Sequence, residues 1–208
     1  MQQFSNNTQS AQNLRYSWHL TRVENLSSIF LGAHGILCKN ELSKQQVTYD
    51  DISLEPAQQR RHAKRVFGRA VHDFVPTFVT QRNPMMYCRR SEHARLVWLK
   101  IDLTKVDPKQ CVTSRYNVAA NCERFAPGVC AAIIDWPVIQ ATYWKDFQNG
   151  SAARGAEVLV HHRIPLKAIV AAEVANPNLL AQLETHYGLA AHMNPAAFFY
   201  QTYQRACA

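Results

Sequence analysis

The segment 94–103, "ARLVWLKIDL", restricts the possible folds of this chain more than any other stretch. Every second residue is apolar, and these residues share one face: Val97, Leu99, Ile101 and Leu103. The opposite face is mixed and carries Trp98, Lys100 and Asp102. Because successive side chains of a strand point to opposite faces, this alternation predicts a half-buried β-strand. A fold that contains it needs a sheet and a layer that covers its apolar face.

Other segments predict further short strands and helices in an irregular order. Strands are expected over 16–23, 72–80, 111–114, 156–162, 168–175 and 196–203. Helices are expected over 24–33, 56–65, 135–147 and 176–188, the last with Asn176 as N-cap and Gly188 as its stop. Strands and helices do not alternate one by one, so a mixed α+β fold is favoured over a doubly wound parallel sheet. With no repeat or linker, we expect a flexible tail over 1–15 and a single domain over 16–208.

The charge of the chain is strongly positive. The 208 residues carry a formal net charge of +8, and the sequence pI is near 9.3. Basic residues cluster at 60–69 and 87–95, on either side of an apolar segment. Each cluster is either a solvated helix face or part of a surface for a polyanion such as nucleic acid.

The termini and the cysteines indicate a cellular compartment. The N-terminal "MQQFSNNTQSAQN" has no apolar core of a secretory signal, and no apolar run is long enough to cross a bilayer. The six cysteines form no C-x-x-C pair and have no zinc-site spacing. We therefore expect a cytoplasmic protein with free thiols, no membrane partner and no bound metal.

The common nucleotide, zinc and serine-hydrolase motifs are absent from the sequence. Three weaker features remain, and each has an ordinary alternative. His19 and Thr21 share one strand face and could hold a ribose or an amide, or His19 is simply a half-buried histidine. The segment 75–87, "VPTFVTQRNPMMY", could stack on a nucleobase or nicotinamide ring, or pack in the core. Glu157 is either a catalytic carboxylate next to a mobile loop or an edge-strand glutamate.

Taken in order, these segments resemble the DarT family of DNA ADP-ribosyltransferases. The stretch "WHLTRVENLSSIF" is similar to that family's "YHIT…NL.SIL", and "VHDFVPTFVTQRNPMMY" to its "LHDYVPFYF..RSPMLY". The later "DWPVIQATYWKD" and "ARGAEVLVHHRIP" resemble its "DW..I…YW.D" and "R.AEFLV…P", and "AAFFY" stands at the family's closing aromatic segment. The collinear similarity runs from about Tyr16 to Tyr200.

The resemblance implies an ADP-ribosyltransferase-like α+β fold, in which two mixed or antiparallel sheets form a central NAD cleft with flanking helices. It implies that NAD is the substrate and that Glu157 is the catalytic glutamate. The family's catalytic arginine falls on Arg61, with Arg60 beside it, and the choice between them stays open because the family's "GPGG" is missing here. The further NAD-binding residues that the resemblance implies are His19, Thr21, Asn25, Phe78 and Met85.

These residue types suit the chemistry that the resemblance implies. Breaking the nicotinamide–ribose bond develops an oxocarbenium-like ribose, as in glycoside hydrolysis. A carboxylate near C1′ stabilises that positive charge, and an arginine offers paired donors to the diphosphate. No metal is required for this reaction.

Acceptor recognition is expected in two segments. In 113–125, Ser114 and Arg115 replace an Asp and a Gly of the family pattern, and the nearby cationic and aromatic side chains could contact a single strand. In 148–155, the loop before Glu157 is where the resemblance places acceptor recognition. The nucleic-acid-binding candidates are Arg115, Tyr116, Arg124 and Arg154.

The hypothesis is an NAD-dependent ADP-ribosyltransferase that modifies a nucleobase of single-stranded nucleic acid, with DNA favoured over RNA. The resemblance implies a toxin of a toxin–antitoxin or phage-defence system, opposed by an antitoxin or immunity protein such as a macrodomain-type hydrolase or an inhibitor. One alternative is an ADP-ribosyltransferase that acts on a protein side chain. The other is a catalytically inactive, basic nucleic-acid-binding module.

Overall fold

The computed structural model describes residues 13–32, 34–120 and 124–200. Twelve strands lie in this part of the chain: β1 (Tyr16–Arg22), β2 (Ile36–Leu37), β3 (Arg65–Val66), β4 (Arg69–Ala70), β5 (Phe74–Phe78), β6 (Leu96–Asp102), β7 (Cys111–Ser114), β8 (Phe125–Pro127), β9 (Glu157–His161), β10 (Arg163–Ile164), β11 (Ile169–Val174) and β12 (Ala191–Met193). Eight of them form one mixed sheet in the order β12-β11-β6-β1-β5-β9-β7-β8. The strands β2 and β10 form a small second sheet, and β3 and β4 a third.

The large sheet consists of two four-stranded halves that barely touch. Strands β1 and β6 are aligned over seven Cα pairs and β5 and β9 over five. At the junction, β1 and β5 share only the pair Trp18–Phe78. The α+β class is therefore confirmed, but the expected two separate sheets are one continuous sheet, because this junction keeps the halves hydrogen-bonded.

Seven α-helices flank the sheet within the described residues: α1 (Leu26–Phe30), α2 (Lys39–Lys44), α3 (Glu55–Ala63), α4 (Pro84–Cys88), α5 (Trp136–Gln140), α6 (Gly150–Arg154) and α7 (Pro177–Tyr187). The longest, α7, begins and ends where the sequence predicts. The Asn176 side chain accepts a hydrogen bond from the Asn178 amide, and Gly188 ends the helix at φ +60°. None of these helices is long and apolar enough to cross a bilayer.

Strand β6 is buried on both faces, so the prediction of a half-buried strand is wrong. It lies between β11 and β1 near the middle of one half of the sheet. Val97, Leu99 and Ile101 pack in the larger core, whereas Trp98 packs with Phe78 on the opposite face. Trp98 is fully buried. The polar residues of that face indicated exposure to solvent, but a second apolar cluster covers the face.

Two predicted elements are wrong in detail. The helix expected over 135–147 ends at Gln140, and the chain is extended at Ala141 before a 3-10 turn at Trp144–Asp146. The strand expected over 196–203 is a 3-10 helix, Pro195–Phe198, capped by the Asn194 side chain. Pro195 has no amide hydrogen for a sheet and suits the first turn of a helix. Positions 201–203 and the first twelve residues of the expected tail lie outside the described residues.

Candidate active site

A cleft of about 490 Å³ lies where the two halves of the sheet separate. Its volume is in the range of small-molecule sites. The sheet supplies one wall, and the segment from α1 to α3 supplies the other. The cleft brings together the predicted NAD-side residues His19, Thr21, Asn25, Arg60, Arg61, Phe78 and Met85.

Arg61 and Glu157 form a bidentate ion pair at the edge of this cleft. The guanidinium Nη1 donates to both carboxylate oxygens at 3.0 and 3.1 Å, and Nη2 donates to Oε2 at 3.1 Å. The Val118 amide donates to Oε1 at 3.3 Å. Glu157 is fully buried behind the arginine, whose side chain is 11% exposed. Such paired, charge-assisted bonds fix both side chains.

Local structure explains why these two side chains meet. Glu157 is the first residue of β9 and lies opposite Phe78 of β5 and Ser114 of β7. Arg61 lies in the last turn of α3, which packs beside the cleft. Its neighbour Arg60 points elsewhere, and its Nε donates to the Ala119 carbonyl at 2.9 Å. Of the two candidate arginines, only Arg61 contacts the glutamate.

His19 is held at the gap between β1 and β5. Its Nδ1 lies 2.9 Å from the Pro76 carbonyl oxygen, and since a carbonyl only accepts, Nδ1 carries the proton. Burial lowers the pKa of His19, and the bond to Pro76 only partly opposes this. The imidazole is therefore neutral near pH 7 and leaves Nε2 as an acceptor.

Thr21 and Asn25 form the next polar group of the cleft. The Asn25 Nδ2 donates to Thr21 Oγ1 at 3.1 Å and to the Asp50 carbonyl at 3.0 Å. Its Oδ1 accepts from the Asp50 amide at 2.8 Å. Asn25 thus ties the opposite wall to β1 and orients the Thr21 hydroxyl.

Phe78 and Met85 give the cleft an apolar floor. Phe78 packs edge-on against Trp98, with ring centroids 6.0 Å apart. Met85 is half-buried in α4, and the fully buried Asn83 caps that helix by accepting from the Met86 amide at 3.0 Å. A ring and a thioether at this position can pack against a flat heterocycle.

The acceptor candidates of 113–125 lie together beside the cleft and do not line it. Arg115 pairs with Asp135 at 2.9 Å, and its guanidinium lies 5.4 Å from the Tyr116 ring centroid. The Arg124 carbonyl accepts from the Arg115 amide at 2.9 Å, and the Arg124 side chain is exposed. Arg115 thus has an internal counterion, whereas Arg124 faces solvent.

The expectation for Arg154 is wrong. The segment 148–155 is not a flexible loop throughout, because α6 occupies Gly150–Arg154. Arg154 is 5% exposed. Its guanidinium donates to the carbonyls of Arg82, at 2.6 Å, Val138, at 2.8 Å, Ile139 and Ala141, at 2.9 Å. It satisfies the free carbonyls at the end of α5, and its burial leaves it little exposed surface for a phosphate.

Two residues that position the site, Asn117 and Gly155, were not predicted from the sequence. The Asn117 amide donates to the Ala152 carbonyl at 2.9 Å, and its Oδ1 accepts from the Ala119 amide at 2.8 Å. A Cβ on Gly155 would lie 2.9 Å from the Asn117 Cβ. Gly155 therefore allows the close approach that brings the Val118 amide onto Glu157. The glycine in "ARGAE" was the available signal, but it indicates flexibility as readily as close packing.

Four of the cysteines lie in the described part of the chain. Cys38, Cys88, Cys111 and Cys130 are free thiols, and burial raises the pKa of Cys111 to about 12. A thiol with that pKa is not ionised near neutral pH. Among the residues that the structure describes, no group of three or more His, Cys, Asp or Glu side chains could hold a metal ion.

Comparison with known protein families identifies the family of this chain. The sequence profile of DarT, described as an ssDNA thymidine ADP-ribosyltransferase, matches residues 18–203. The chain belongs to the DarT family. The sequence-based hypothesis of an NAD-dependent DNA ADP-ribosyltransferase is confirmed at this level, and the protein-acceptor and inactive alternatives lose their support.

Individual DarT proteins are similar over most of their length. A DNA ADP-ribosyl transferase of Thermus sp. (strain 2.9) is 26% identical over 158 residues, which is 71% of this chain and 75% of the relative. The Thermus sp. 2.9 DarT structure in complex with ADP-ribosylated ssDNA superposes with a TM-score of 0.78 at 20% identity, over 88% of this chain and 96% of that one. Thermosipho africanus DarTG in complex with ADP-ribose gives 0.78 at 18% identity, over 89% of this chain and 51% of that one. Thermus sp. 2.9 DarT with NAD+ gives 0.74 at 18% identity, over 91% and 100%. These structures share the fold.

Proposed function

We propose that Glu157 and Arg61 catalyse transfer of ADP-ribose from NAD+ to thymidine in single-stranded DNA. The observation that carries this proposal is their bidentate ion pair at the edge of an NAD-sized cleft in a DarT chain. NAD+ enters as substrate, as relatives with bound NAD+ suggest. The donor site comprises His19, Thr21, Asn25, Arg60, Phe78 and Met85.

The ion pair opens when the substrate binds. Glu157 cannot reach a ribose while Arg61 covers it, because its carboxylate has no exposed surface. The NAD diphosphate is a second anion that competes for the same guanidinium. Arg61 turns toward the diphosphate, and the carboxylate is left facing C1′ of the nicotinamide ribose.

The bond changes follow from this geometry. The bond between C1′ and nicotinamide breaks, and nicotinamide leaves with the electron pair. Glu157 stabilises the positive charge on the ribose. Thymine in a nucleoside has one ring N–H, at N3, and this nitrogen loses its proton and forms the new bond to C1′. Glu157, released from Arg61, accepts that proton and passes it to solvent.

The acceptor strand lies over the 113–125 segment. Tyr116 supplies an aromatic face for a base, with the Arg115 guanidinium stacked beside it. Arg124 supplies an exposed cation for a phosphate. The net charge of +8 favours such a polyanion.

The physiological setting is a toxin–antitoxin or phage-defence system in the cytoplasm. The similarity to Thermosipho africanus DarTG supports an antitoxin partner, and a macrodomain-type hydrolase that removes ADP-ribose, or an inhibitor, would suit that role. The free thiols in the described residues are compatible with a reducing compartment.

The proposal is tested by acceptor competition. Purified protein is incubated with labelled NAD+ and three pools: DNA oligonucleotides with one thymidine, matched oligonucleotides without thymidine, and a cell lysate treated with nuclease. Label is expected in the first pool alone. Label in the protein of the lysate, or equal label with and without thymidine, would overturn the proposed acceptor.

A further inference from the structure

The β3–β4 hairpin presents an exposed aromatic ring between two arginines. Val66 pairs with Arg69 and Arg65 with Ala70, so Phe67 and Gly68 form a two-residue turn. Phe67 is 61% exposed, and Arg65 and Arg69 are exposed as well. The Arg65 Nη1 donates to the Gly68 carbonyl at 3.2 Å, which closes the turn. The catalytic proposal uses none of these side chains.

The turn is built at a conformational cost. Phe67 has φ +48° and Gly68 has φ +81°, so both central residues lie in the left-handed region. Two-residue hairpins of this kind strongly prefer Asn or Asp followed by Gly. A bulky aromatic residue is a poor choice at the first position. Residues held in such conformations cluster at ligand-binding sites, and here the strain displays a ring to solvent.

The hairpin is anchored next to the active site. Val66 is buried in one apolar cluster with Val118 and Leu159, and Phe125 packs against the same cluster. The Lys64 ammonium donates to the Ala120 carbonyl. Phe67 follows Arg61 by six residues, so the two Cα atoms are at most about 20 Å apart. The ring is therefore within a few nucleotides of the reacting base.

The charged side chains of the hairpin itself are both positive. Arg65 and Arg69 flank the ring, and among the ion pairs of the described residues neither takes part. Arg124 is exposed on the adjoining segment, next to Phe125. An aromatic ring between cations is the arrangement that binds single-stranded nucleic acid without reading its sequence.

We propose that the hairpin 65–70 binds the single strand outside the modified thymidine, with Phe67 stacked on a neighbouring base and Arg65 and Arg69 on the phosphates. The position of the target base relative to the hairpin rests on the proposed function, whereas binding of the strand by the hairpin does not depend on it. It predicts that DNA affinity rises once the oligonucleotide is long enough to reach the ring.

The decisive variant is Phe67→Asn. Asn suits the turn better than Phe, so the melting temperature is expected to stay the same or rise. Binding of a fluorescent 20-nucleotide single strand, measured by anisotropy without NAD+, should weaken about tenfold, which is the size of one stacking contact. Phe67→Trp should retain the wild-type affinity. On a 5-nucleotide strand centred on the thymidine, the difference between wild type and F67N should shrink.

The arginines are tested by salt dependence. Replacing Arg65 and Arg69 with Gln should reduce the slope of log affinity against log salt by about 1.4, since each neutralised phosphate of a single strand contributes about 0.7. Arg163→Gln is the matched control, an exposed arginine on β10, and should leave the slope unchanged. Leu31→Asn, at a side chain that is 69% exposed, controls for removal of surface apolar area.

The outcomes separate this inference from the proposed function. Unchanged binding of the 20-nucleotide strand by F67N would overturn the inference even if the protein modifies thymidine normally. Weakened binding by F67N in a protein that labels no DNA would retain the hairpin contact and reject the proposed reaction. Equal weakening by F67N and L31N would show a general surface effect and also overturn it.

Discussion

The NAD side and the acceptor side of the site are held by different kinds of structure. On the NAD side, His19, Phe78 and Glu157 lie on three strands whose backbone pairing fixes them. On the acceptor side, the chain from 115 to 120 is irregular and is held by Asn117 and by side-chain bonds to its carbonyls. Strand-borne groups keep their positions when a ligand changes, whereas an irregular segment can vary between relatives without loss of the fold. The proposed donor side therefore rests on paired strands, whereas the proposed acceptor side rests on an irregular segment.

The largest effect is expected at the carboxylate itself. Glu157→Gln preserves the shape of the side chain but removes the charge that stabilises the ribose, so transfer should fall by about 10³-fold, as for loss of one group that stabilises the transition state. Nicotinamide release and DNA labelling should fall together. Glu173→Gln, a half-buried glutamate on β11, is the control and should retain activity. Full nicotinamide release by E157Q would remove Glu157 from the reaction.

Substitution of Arg61 should reduce both stability and catalysis. Arg61→Ala leaves the fully buried Glu157 carboxylate without a counterion, and breaking a buried pair in this way costs about 3–5 kcal/mol. We expect a lower melting temperature and a loss of transfer of about 10²-fold. Arg60→Ala loses only the bond to Ala119 and should cost less in both measurements. If R60A and R61A behaved alike, the distinction drawn from the ion pair would fail.

Arg154 tests how the acceptor side is supported. Arg154→Lys keeps the charge but cannot reach four carbonyls at once, and we expect a loss of about 2–3 kcal/mol from unsatisfied buried groups. The KM for DNA should rise more than the KM for NAD+, because the bonds hold α5 and the segment before β9. Wild-type stability together with a reduced salt slope for DNA would restore Arg154 as a surface phosphate ligand.

The smallest effect concerns pH on the NAD side. Because burial lowers the pKa of His19 below its ordinary 6.5, the unfolded chain binds the proton more readily than the folded one. The stability from this group is complete above pH 6.5 and is lost as the pH falls below it. His72 and His161 are shifted in the same direction, so His19→Asn should remove only part of the acid sensitivity below pH 6.5. Melting curves with the same pH dependence in wild type and H19N would contradict this.

Local patterns predicted the parts of the molecule that depend on local chemistry. Asn176 and Gly188 directly flank α7, and Glu157 stands in a short motif at the start of β9. Trp98 could not be placed from its own segment, since the cluster that covers it comes from distant parts of the chain. Arg154 was misjudged for the same reason: its partners lie 13 to 72 residues away. Gly155 supports close packing that only the folded backbone reveals.

We propose that Glu157 directs ADP-ribose to thymidine in single-stranded DNA. The most direct test is to incubate wild type and E157Q with NAD+ and an oligonucleotide that contains all four bases, digest the product to nucleosides, and identify the modified nucleoside by mass spectrometry. We expect ADP-ribosyl-thymidine with wild type and none above background with E157Q. An adduct on another nucleoside, or equal thymidine modification by both proteins, would contradict it.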